Sequence, residues 1–355
     1  MCAMNVMGFA ALSATGPLER FAFGRRAPRP DDVVIDILYC GVCHTDLHLA
    51  RNHSGFTTYP IVPGHEIIGC VREIGKTVTR FKRGDLVGVG CMVDSCQHCQ
   101  PCLKGWEQDC IEGSIFTYNS TDRRDGSITY GGYSDVIVVR DKFVLSLPDG
   151  LDPAGAAPLL CAGITTWSPL RRWNVGKDSK VAVVGLGGLG HMALKLAKAL
   201  GADVTLFTRS SGKEGDAFRL GADRVVLSSD LEQMKAVYSR FDVIIDTVPY
   251  DHDVNPYMPT LVLEGVLVLV GYLGPLSMPV NAGGVVRGRR AISGSFIGGA
   301  HETQQMLDFC GQHGIVSDVE IIPIQKINEA YERMLKSDVK YRFVIDMTSL
   351  TSSGA

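Results

Sequence analysis

A short segment of the chain, residues 41–48, carries one thiol, two imidazoles and one hydroxyl. It reads Gly-Val-Cys-His-Thr-Asp-Leu-His, and its reactive side chains are Cys43, His44, Thr45 and His48. Cysteine and histidine are common zinc ligands, whereas threonine and histidine can transfer protons. An ordinary buried cysteine that stands beside polar residues would produce the same sequence without binding a metal. The segment therefore indicates a metal or proton-transfer site only if other parts of the chain supply further ligands.

Four cysteines lie close together further along the chain, in a C-x-x-C-x-x-C-x₇-C pattern. They are Cys96, Cys99, Cys102 and Cys110. Four thiolates at such short spacing can close a tetrahedral zinc site. An iron–sulfur cluster is the competing interpretation, because ferredoxins also use two-residue spacings. The longer last gap and the absence of a proline after Cys110 favour zinc, and with no open coordination position this zinc would be structural.

A second set of possible ligands is dispersed along the chain. Cys43 is followed by His65 and Glu66 in a Pro-Gly-His-Glu segment, and Cys161 comes much later. Catalytic zinc needs three protein ligands and one exchangeable position, which a Cys-His-Cys set provides. Spacing alone does not bring Cys161 close to Cys43. Three ordinary buried residues therefore stay open as the alternative at this point.

A glycine-rich turn follows the G-x-G-x-x-G pattern. An apolar segment, residues 180–184, precedes the turn and a helical pattern follows it, so a pyrophosphate can lie over the N-terminus of the helix. We predict a dinucleotide site rather than a simple tight turn. Its residues are Gly185, Leu186, Gly187, Gly188, Leu189 and Gly190.

The next predicted strand ends in hydroxyl and basic side chains instead of the acidic residue that would bind the ribose of NAD. A carboxylate repels a 2′-phosphate, whereas hydroxyls and two cations bind one. The sequence therefore predicts NADP(H) as the cofactor, with a solvated basic loop as the alternative. The residues concerned are Thr208, Arg209, Ser210, Ser211 and Lys213.

Composition limits the class of protein. A chain of 355 residues normally forms two domains, and a net charge of -3 without a basic tract argues against nucleic acid or an anionic membrane surface as a partner. No apolar run reaches the length of a membrane helix. Residues 1–11 lack the features of a secretory signal, so we expect a cytoplasmic location, where 11 cysteines indicate metal binding rather than disulfides.

Secondary-structure patterns divide the chain near residue 152. Before it, short β-branched runs interrupted by glycine and proline predict strands at 33–39, 66–74, 83–89 and 131–139. After it, strands alternate with helical patterns, which predicts a parallel sheet with right-handed crossovers. The predicted elements there are strands at 180–184, 203–207, 224–227, 241–245, 266–270 and 342–346, and helices at 192–200, 301–312 and 327–336.

Taken together, these motifs resemble the zinc-containing medium-chain alcohol dehydrogenases, and within them the cinnamyl-alcohol-dehydrogenase group of NADP-dependent aldehyde reductases, especially its bacterial members. The resemblance implies an α/β fold with a Rossmann doubly wound parallel sheet and a mostly β GroES-like catalytic domain. The implied catalytic domain comprises residues 1–158 and 298–355, and the NADP domain comprises residues 159–297. The motifs that carry the resemblance lie at 41–46, 63–66, 84–90, 96–110, 158–163, 185–190, 294–298 and 338–344.

The resemblance also implies roles for individual residues. Cys43, His65 and Cys161 would hold the catalytic zinc, and Glu66 would approach it when water or substrate leaves. Thr45 would begin a proton relay that continues through the cofactor ribose to His48. Further cofactor contacts would come from Thr247, Gly271, Ser295, Phe296 and Ile297. Two zinc ions per subunit and a homodimer are also implied.

The activity expected from this resemblance is hydride transfer between NADP(H) and a primary alcohol/aldehyde pair, with aromatic, cinnamyl-type or medium-chain aldehydes as substrates. Three alternatives stay open. The first is a polyol dehydrogenase, which would normally have an acidic residue near Thr208, where this chain has none. The second is a reductase of activated C=C or C=N bonds, which would normally lack the Thr or the His of the relay, whereas this chain has both Thr45 and His48. A non-catalytic NADPH-binding zinc protein is the third, against which an intact Cys43, His65 and Cys161 set argues.

Overall fold

A computed structural model describes residues 4–350 of the chain, which fold as two compact units. The first unit comprises Met1–Cys161 and Gly298–Ala355, and the second comprises Ala162–Ile297. The N-terminal part of the first unit thus ends at Cys161, whereas the predicted boundary is residue 158.

Within residues 4–350 the strands are β1 to β17 in chain order. They are Met4–Ala11, Leu18–Arg25, Asp32–Val42, Ile67–Ile74, Leu86–Val89, Met92–Asp94, Ile115–Phe116, Val136–Arg140, Val144–Ser146, Lys180–Val184, Asp203–Thr208, Arg224–Leu227, Phe241–Asp246, Leu261–Leu269, Ala291–Gly294, Val319–Pro323 and Arg342–Asp346.

The α-helices of the same residues are α1 to α10. They are His44–Ala50, Gln100–Leu103, Pro153–Ala156, Ala162–Arg172, Gly190–Ala199, Glu214–Arg219, Leu231–Lys235, Ala282–Val286, Ala300–His313 and Ile327–Leu335. Short 3₁₀ helices are Glu107–Asp109, Asp141–Phe143, Ala157–Leu160, Ser211–Lys213, Asn255–Thr260, Ile324–Lys326 and Met347–Leu350. None of the helices in this part of the chain is long and apolar enough to cross a membrane.

The first unit is built on a sheet in the order β16-β17-β3-β4-β5-β9, with β8 also paired to β3. The β17, β4 and β8 strands all pair antiparallel with β3. The 3₁₀ helix Ala157–Leu160 packs on β3, β4 and β5, which is why the chain stays in this unit up to Cys161. Because β17 pairs with β3, the C-terminal segment joins the sheet that strands of the first 160 residues form. The resemblance implied a GroES-like domain built from the same two parts of the chain.

The second unit is a six-stranded sheet whose strands are all parallel, in the order β12-β11-β10-β13-β14-β15. This is the doubly wound Rossmann order, in which the strand order reverses beside β10. Four residues of β10, from Val181 to Val184, are buried, because helices cover both faces of such a sheet. The predicted α/β fold class is confirmed.

Several elements differ from their predicted bounds. The strand predicted at 131–139 begins at Val136, because Gly131 and Gly132 pack instead against the Pro63-Gly64 backbone, with the Gly132 amide donating to the Gly64 carbonyl over 2.8 Å. The hairpin of β1 and β2 and the strands β15 and β16 had no predicted counterpart. The segment that opened the sequence analysis forms β3 up to Val42 and then α1.

Candidate functional site

One group of possible metal ligands in the first unit consists of Cys43, His65, Glu66 and Cys161. All four side chains are buried, and one ligand atom from each lies within 4.8 Å of the ligand atoms of the other three. The structure therefore brings together residues that the sequence leaves scattered over more than 100 positions.

Short turns at the ends of regular elements place these four side chains. Cys43 follows β3 and occupies the N-cap position of α1. His65 and Glu66 come directly before β4, the neighbour of β3 in the sheet. Cys161 follows the 3₁₀ helix Ala157–Leu160. The ligands thus project from fixed ends of adjacent elements, which holds them in place before any ion binds.

Asp46 orients both the first cysteine and the histidine. One carboxylate oxygen accepts the Cys43 backbone N–H over 2.8 Å, and the other lies 3.1 Å from Nδ1 of His65. Burial alone would lower the pKa of His65, but the charge of Asp46 raises it well above its usual value. With Nδ1 donating to Asp46, the opposite nitrogen of His65, Nε2, is the one available to a metal.

The two buried thiols fit the geometry of a zinc ion. Sγ of Cys43 lies 3.9 Å from Sγ of Cys161, and two sulfurs on a tetrahedral zinc with bonds of about 2.3 Å lie about 3.8 Å apart. A hydrogen bond from the Cys161 thiol lowers the pKa of Cys43 well below its usual value, although burial opposes this. The pair therefore favours the thiolate that zinc requires.

Glu66 adds a carboxylate with one unused oxygen. Its Oε1 pairs with the guanidinium of buried Arg342 on β17, whereas Oε2 is buried and has no hydrogen-bond partner within residues 4–350. A Cβ at Gly41 would lie 1.9 Å from that Oε2, so glycine is required there to leave room for the carboxylate. A buried unsatisfied anionic oxygen beside two thiols and an imidazole fits a cation.

Arg342 and Asp46 are functional residues that sequence reasoning missed. Arg342 stands directly before the three apolar residues 343–345 of β17, and a cation beside such a run is itself a signal of a buried partner. Asp46 stands three residues after Cys43, the spacing of a capping box at the start of a helix.

The proposed relay residues lie on the first turns of α1. Thr45 is exposed, with its Oγ1 3.7 Å from Sγ of Cys43. His48 is half-buried, and its Nδ1 lies 2.8 Å from Nδ1 of His53. His44 is not part of the ligand group, and the imidazole in that group is His65.

The four-cysteine loop forms a second ligand group in the first unit. Cys96, Cys99, Cys102 and Cys110 have their sulfurs within 4.8 Å of one another, and the Cys96 and Cys102 sulfurs are 3.8 Å apart. Backbone N–H groups of Cys96 and Cys99 point at the sulfurs of Cys110 and Cys96, at 3.4 and 3.3 Å. These N–H groups stabilise thiolates, so the donor set fits zinc bound by four sulfurs.

The glycine turn of the second unit connects β10 to α5. A Cβ at Gly187 would meet no atom within 4 Å, which leaves an open surface above the backbone, whereas one at Gly190 would lie 2.1 Å from the Gly185 carbonyl oxygen. The N-cap residue of α5 is Leu189, whose side chain cannot cap the helix. The first N–H groups of α5 and the open backbone at Gly187 therefore fit a pyrophosphate.

Two cations lie beside this turn at the end of β11. Nζ of Lys213 donates to the Leu186 carbonyl over 3.0 Å, and Nη2 of Arg209 lies 2.5 Å from the hydroxyl of Tyr250. Burial and the nearby Arg209 charge both lower the pKa of Lys213. An anionic ligand such as a 2′-phosphate would offset the repulsion between the Arg209 and Lys213 charges. Ser210 and Ser211 are exposed beside these two cations. Tyr250, just after β13, was not predicted.

The remaining predicted cofactor residues follow the other strands of the same sheet. Thr247 follows β13 and donates its hydroxyl to the Val184 carbonyl over 2.8 Å. Gly271 follows β14, and a Cβ there would lie 2.4 Å from the carbonyl carbon of Thr247. Ser295, exposed Phe296 and buried Ile297 follow β15. All of them stand at the carboxyl edge of the sheet, where doubly wound folds bind their ligands.

Comparison with known proteins gives matches over nearly the whole chain. Residues 29–149 match the family described as alcohol dehydrogenase GroES-like domain, and residues 188–312 match the zinc-binding dehydrogenase family. An NADP-dependent alcohol dehydrogenase C from Mycolicibacterium smegmatis is 52% identical, covering 98% of this chain and 99% of the relative. The aldehyde reductase YahK from Escherichia coli is 50% identical, covering 98% and 100%. A solved cinnamyl alcohol dehydrogenase from Sorghum bicolor is 44% identical, covers 99% and 100%, and superposes with a TM-score of 0.94.

Proposed function

Because the chain belongs to the zinc-containing medium-chain alcohol dehydrogenase family, we propose that it reduces aromatic, cinnamyl-type or medium-chain aldehydes to primary alcohols with NADPH. The chain is an alcohol/aldehyde oxidoreductase of the NADP- and zinc-dependent kind. The observation that carries the proposal is the buried group of Cys43, His65, Glu66 and Cys161, with one carboxylate oxygen left without a hydrogen-bond partner in the described chain.

Cys43, His65 and Cys161 would hold the catalytic zinc, and Glu66 would supply a further oxygen when the exchangeable position empties. When bound, the zinc ion supplies a Lewis acid for a carbonyl oxygen, and NADP(H) supplies the hydride chemistry. Two thiolates and a neutral imidazole leave a zinc site with no net charge, which limits how strongly it attracts anions from solution. Arg342 balances the charge of Glu66.

Asp46 and Arg342 position these ligands. Asp46 holds Nδ1 of His65 so that the ring keeps one orientation, and it also anchors the Cys43 backbone. Arg342 pairs with one oxygen of Glu66, and the other oxygen keeps no hydrogen-bond partner within residues 4–350. In aldehyde reduction the exposed hydroxyl of Thr45 would donate a proton to the nascent alcohol oxygen, and His48 would supply the proton that replaces it.

A panel of aldehydes tests the substrate class directly. NADPH oxidation followed at 340 nm with aliphatic, benzylic and cinnamyl aldehydes should show turnover with the aromatic or medium-chain members. Turnover only with compounds that carry an activated C=C or C=N bond would contradict the proposal. So would NADPH binding without oxidation of NADPH by any compound of the panel.

Replacing Arg209 by Asp is expected to lower the NADPH/NADH preference by roughly 10- to 150-fold. The change removes a charge-assisted hydrogen bond worth about 1.5–3 kcal/mol and places a carboxylate where the 2′-phosphate is expected. The measurement is kcat/KM for both cofactors with one aldehyde. Arg224→Asp makes the same charge change at the amino end of β12, on the opposite edge of the sheet, and should leave the preference unchanged. An unchanged preference in Arg209→Asp would refute the assignment.

We propose that the protein acts in the cytoplasm as a homodimer. The six-stranded sheet has β12 at one edge and β15 at the other, and pairing of two β15 edges would extend the sheet across the dimer. The apolar side chains Leu273 and Val286, near this end of the sheet in sequence, are 84% and 76% exposed. Light scattering after size exclusion should give twice the chain mass of 38.4 kDa, and a monomer would contradict the dimer.

A further inference from the structure

His252 lies in the loop that follows β13, and its two ring nitrogens face two oxygen atoms. Nε2 is 2.8 Å from Oδ2 of Asp246, and Nδ1 is 3.0 Å from the backbone carbonyl oxygen of Tyr250. A carbonyl oxygen and an ionised carboxylate only accept hydrogen bonds, so each ring nitrogen must donate one. A neutral imidazole has a single N–H, and both bonds therefore form only when His252 is a cation.

Asp246 supplies the negative charge that keeps this imidazole protonated. Its side chain is 1% exposed, and its Oδ1 accepts the Val248 amide over 3.1 Å. In the described part of the chain, His252 is the one cation that pairs with this carboxylate. A buried carboxylate without a paired charge is costly. The hydrogen bond and the charge of Asp246 raise the pKa of His252 above its usual value, although burial opposes this.

The loop that carries His252 has few other contacts to fix its backbone. Residues 249–253 form neither helix nor strand, and no backbone N–H of residues 250–253 donates to a backbone carbonyl of residues 4–350. Oδ1 of Asp251 accepts the Ser277 amide over 2.9 Å. The bond from His252 to the Tyr250 carbonyl therefore contributes a large part of what holds Tyr250 in one place.

Tyr250 in turn contacts one cation of the predicted 2′-phosphate site. Nη2 of Arg209 donates to the Tyr250 hydroxyl over 2.5 Å, and the guanidinium carbon lies 5.6 Å from the centroid of the Tyr250 ring. Both side chains are exposed. An exposed arginine loses conformational freedom when it binds an anion, and a neighbour that already orients the guanidinium reduces this entropy cost. Tyr250 thus favours binding of an anion by Arg209.

We propose that protonated His252 is a positioning residue for the 2′-phosphate of NADP(H), because it holds Tyr250 where that side chain orients Arg209. The inference rests on the proposed role of Arg209. When His252 loses one proton, Nε2–H stays with the Asp246 carboxylate and the Nδ1 lone pair faces the Tyr250 carbonyl, so that bond is lost. Affinity for NADP(H) should therefore fall as the pH rises through the raised pKa of His252. Affinity for NAD(H), which has no 2′-phosphate, should not change with His252.

The groups packed around His252 leave this direction unchanged. The charge of exposed Asp251 acts in the same sense as that of Asp246. The Tyr257 ring, on the next 3₁₀ helix, has its centroid 6.5 Å away, and burial raises the pKa of Tyr257 to about 12, so its hydroxyl stays neutral. Tyr272, after β14, lines the same small cavity as His252. The proton that leaves first as the pH rises is therefore the one on His252.

The test replaces His252 by Gln, which cannot carry a charge. Dissociation constants of NADPH and NADH are measured by fluorescence titration from about pH 6 to about pH 9. At the acidic end, NADPH affinity should fall roughly three- to tenfold, the range of one hydrogen bond, with NADH affinity unchanged. Lys213 also loses charge as the pH rises, so the informative quantity is the inflection that wild type has and His252→Gln lacks. His313→Gln, at the end of α9, should behave as wild type.

Tyr250→Phe distinguishes positioning from a direct effect of the His252 charge. Phenylalanine lacks the hydroxyl that accepts from Arg209 but keeps the backbone carbonyl that accepts from His252. NADPH affinity should fall in Tyr250→Phe, and adding His252→Gln should have no further effect. A full further loss in the double variant would mean that the His252 charge acts on the phosphate directly, which would refute the positioning role.

The remaining outcomes separate this inference from the assignment of Arg209. ¹⁵N NMR of labelled histidines in the protein without cofactor should show two N–H groups on His252 at neutral pH, and a single N–H tautomer would refute the inference. If Arg209→Asp lowers the NADPH/NADH preference while His252→Gln keeps wild-type NADPH affinity at every pH, only the role of His252 is refuted. If Arg209→Asp leaves the preference unchanged, both are refuted.

Discussion

Replacing Cys161 by Ser is expected to lower kcat/KM for aldehyde reduction by at least about 10³-fold, equivalent to about 4 kcal/mol of transition-state stabilisation. The hydroxyl of serine is a poor zinc ligand at neutral pH, and Cys161 and Cys43 are the two sulfurs of the buried ligand group. NADPH binding should change by less than about threefold, since the glycine turn, Arg209 and Lys213 belong to the second unit. Steady-state kinetics, metal analysis and NADPH fluorescence titration measure the three quantities.

Cys70→Ser is the matched control for this substitution. Cys70 is a half-buried thiol on β4, the strand that follows His65 and Glu66, and it is outside both ligand groups. The Cys70→Ser protein should keep two zinc ions per chain and near wild-type turnover. The Cys161→Ser protein should keep one zinc ion per chain. An active Cys161→Ser protein with a single zinc ion would show that the chemistry does not need the metal that this group would hold.

The extent to which the fold was predictable depends on how strongly each segment repeats a pattern. The strands β10, β11 and β13 are short apolar runs between glycine turns and helices, so their type, order and parallel arrangement followed from the sequence. The β1 and β2 hairpin was missed because only Leu18 and Arg25 of β2 are buried, so that strand lacks the regular alternation of a half-buried one. The α1 helix was missed because its seven residues are too few to show a helical period.

The site was predictable only in part, for a different reason. The spacing of the cysteines was enough to predict a metal site in the four-cysteine loop, since all four lie within 15 residues. Cys43 and Cys161 are 118 positions apart, and only pairing of strands across the first unit brings their sulfurs to 3.9 Å. Resemblance to a family supplied that link before the structure did. Arg342 had no such support, because its role depends on β17 joining β3 next to Glu66.

Replacing Cys102 by Ser is expected to remove one zinc ion per chain and to lower the unfolding temperature by roughly 10 °C. Structural zinc contributes folding free energy directly, and loss of about 3–4 kcal/mol moves the midpoint by about 2–4 °C per kcal/mol in a domain of 150–250 residues. Cys102 is the buried sulfur that lies 3.8 Å from Cys96 and accepts or donates a bond with Ser95 at 3.2 Å. Scanning calorimetry and metal analysis are the measurements, with Cys70→Ser again as the control.

The effect of this substitution should be confined to the loop at moderate temperature. Around the four sulfurs the described elements are short, α2 with four residues and a 3₁₀ turn with three, so little besides the metal holds them folded. Trypsin should therefore cut Cys102→Ser after exposed Lys104 well before it cuts the control, while NADPH binding persists. X-ray absorption of the wild-type protein should show zinc with sulfur at about 2.3 Å. Iron with strong visible absorption would instead support a cluster, and unchanged trypsin resistance after metal loss would mean that the protein packing alone holds the loop.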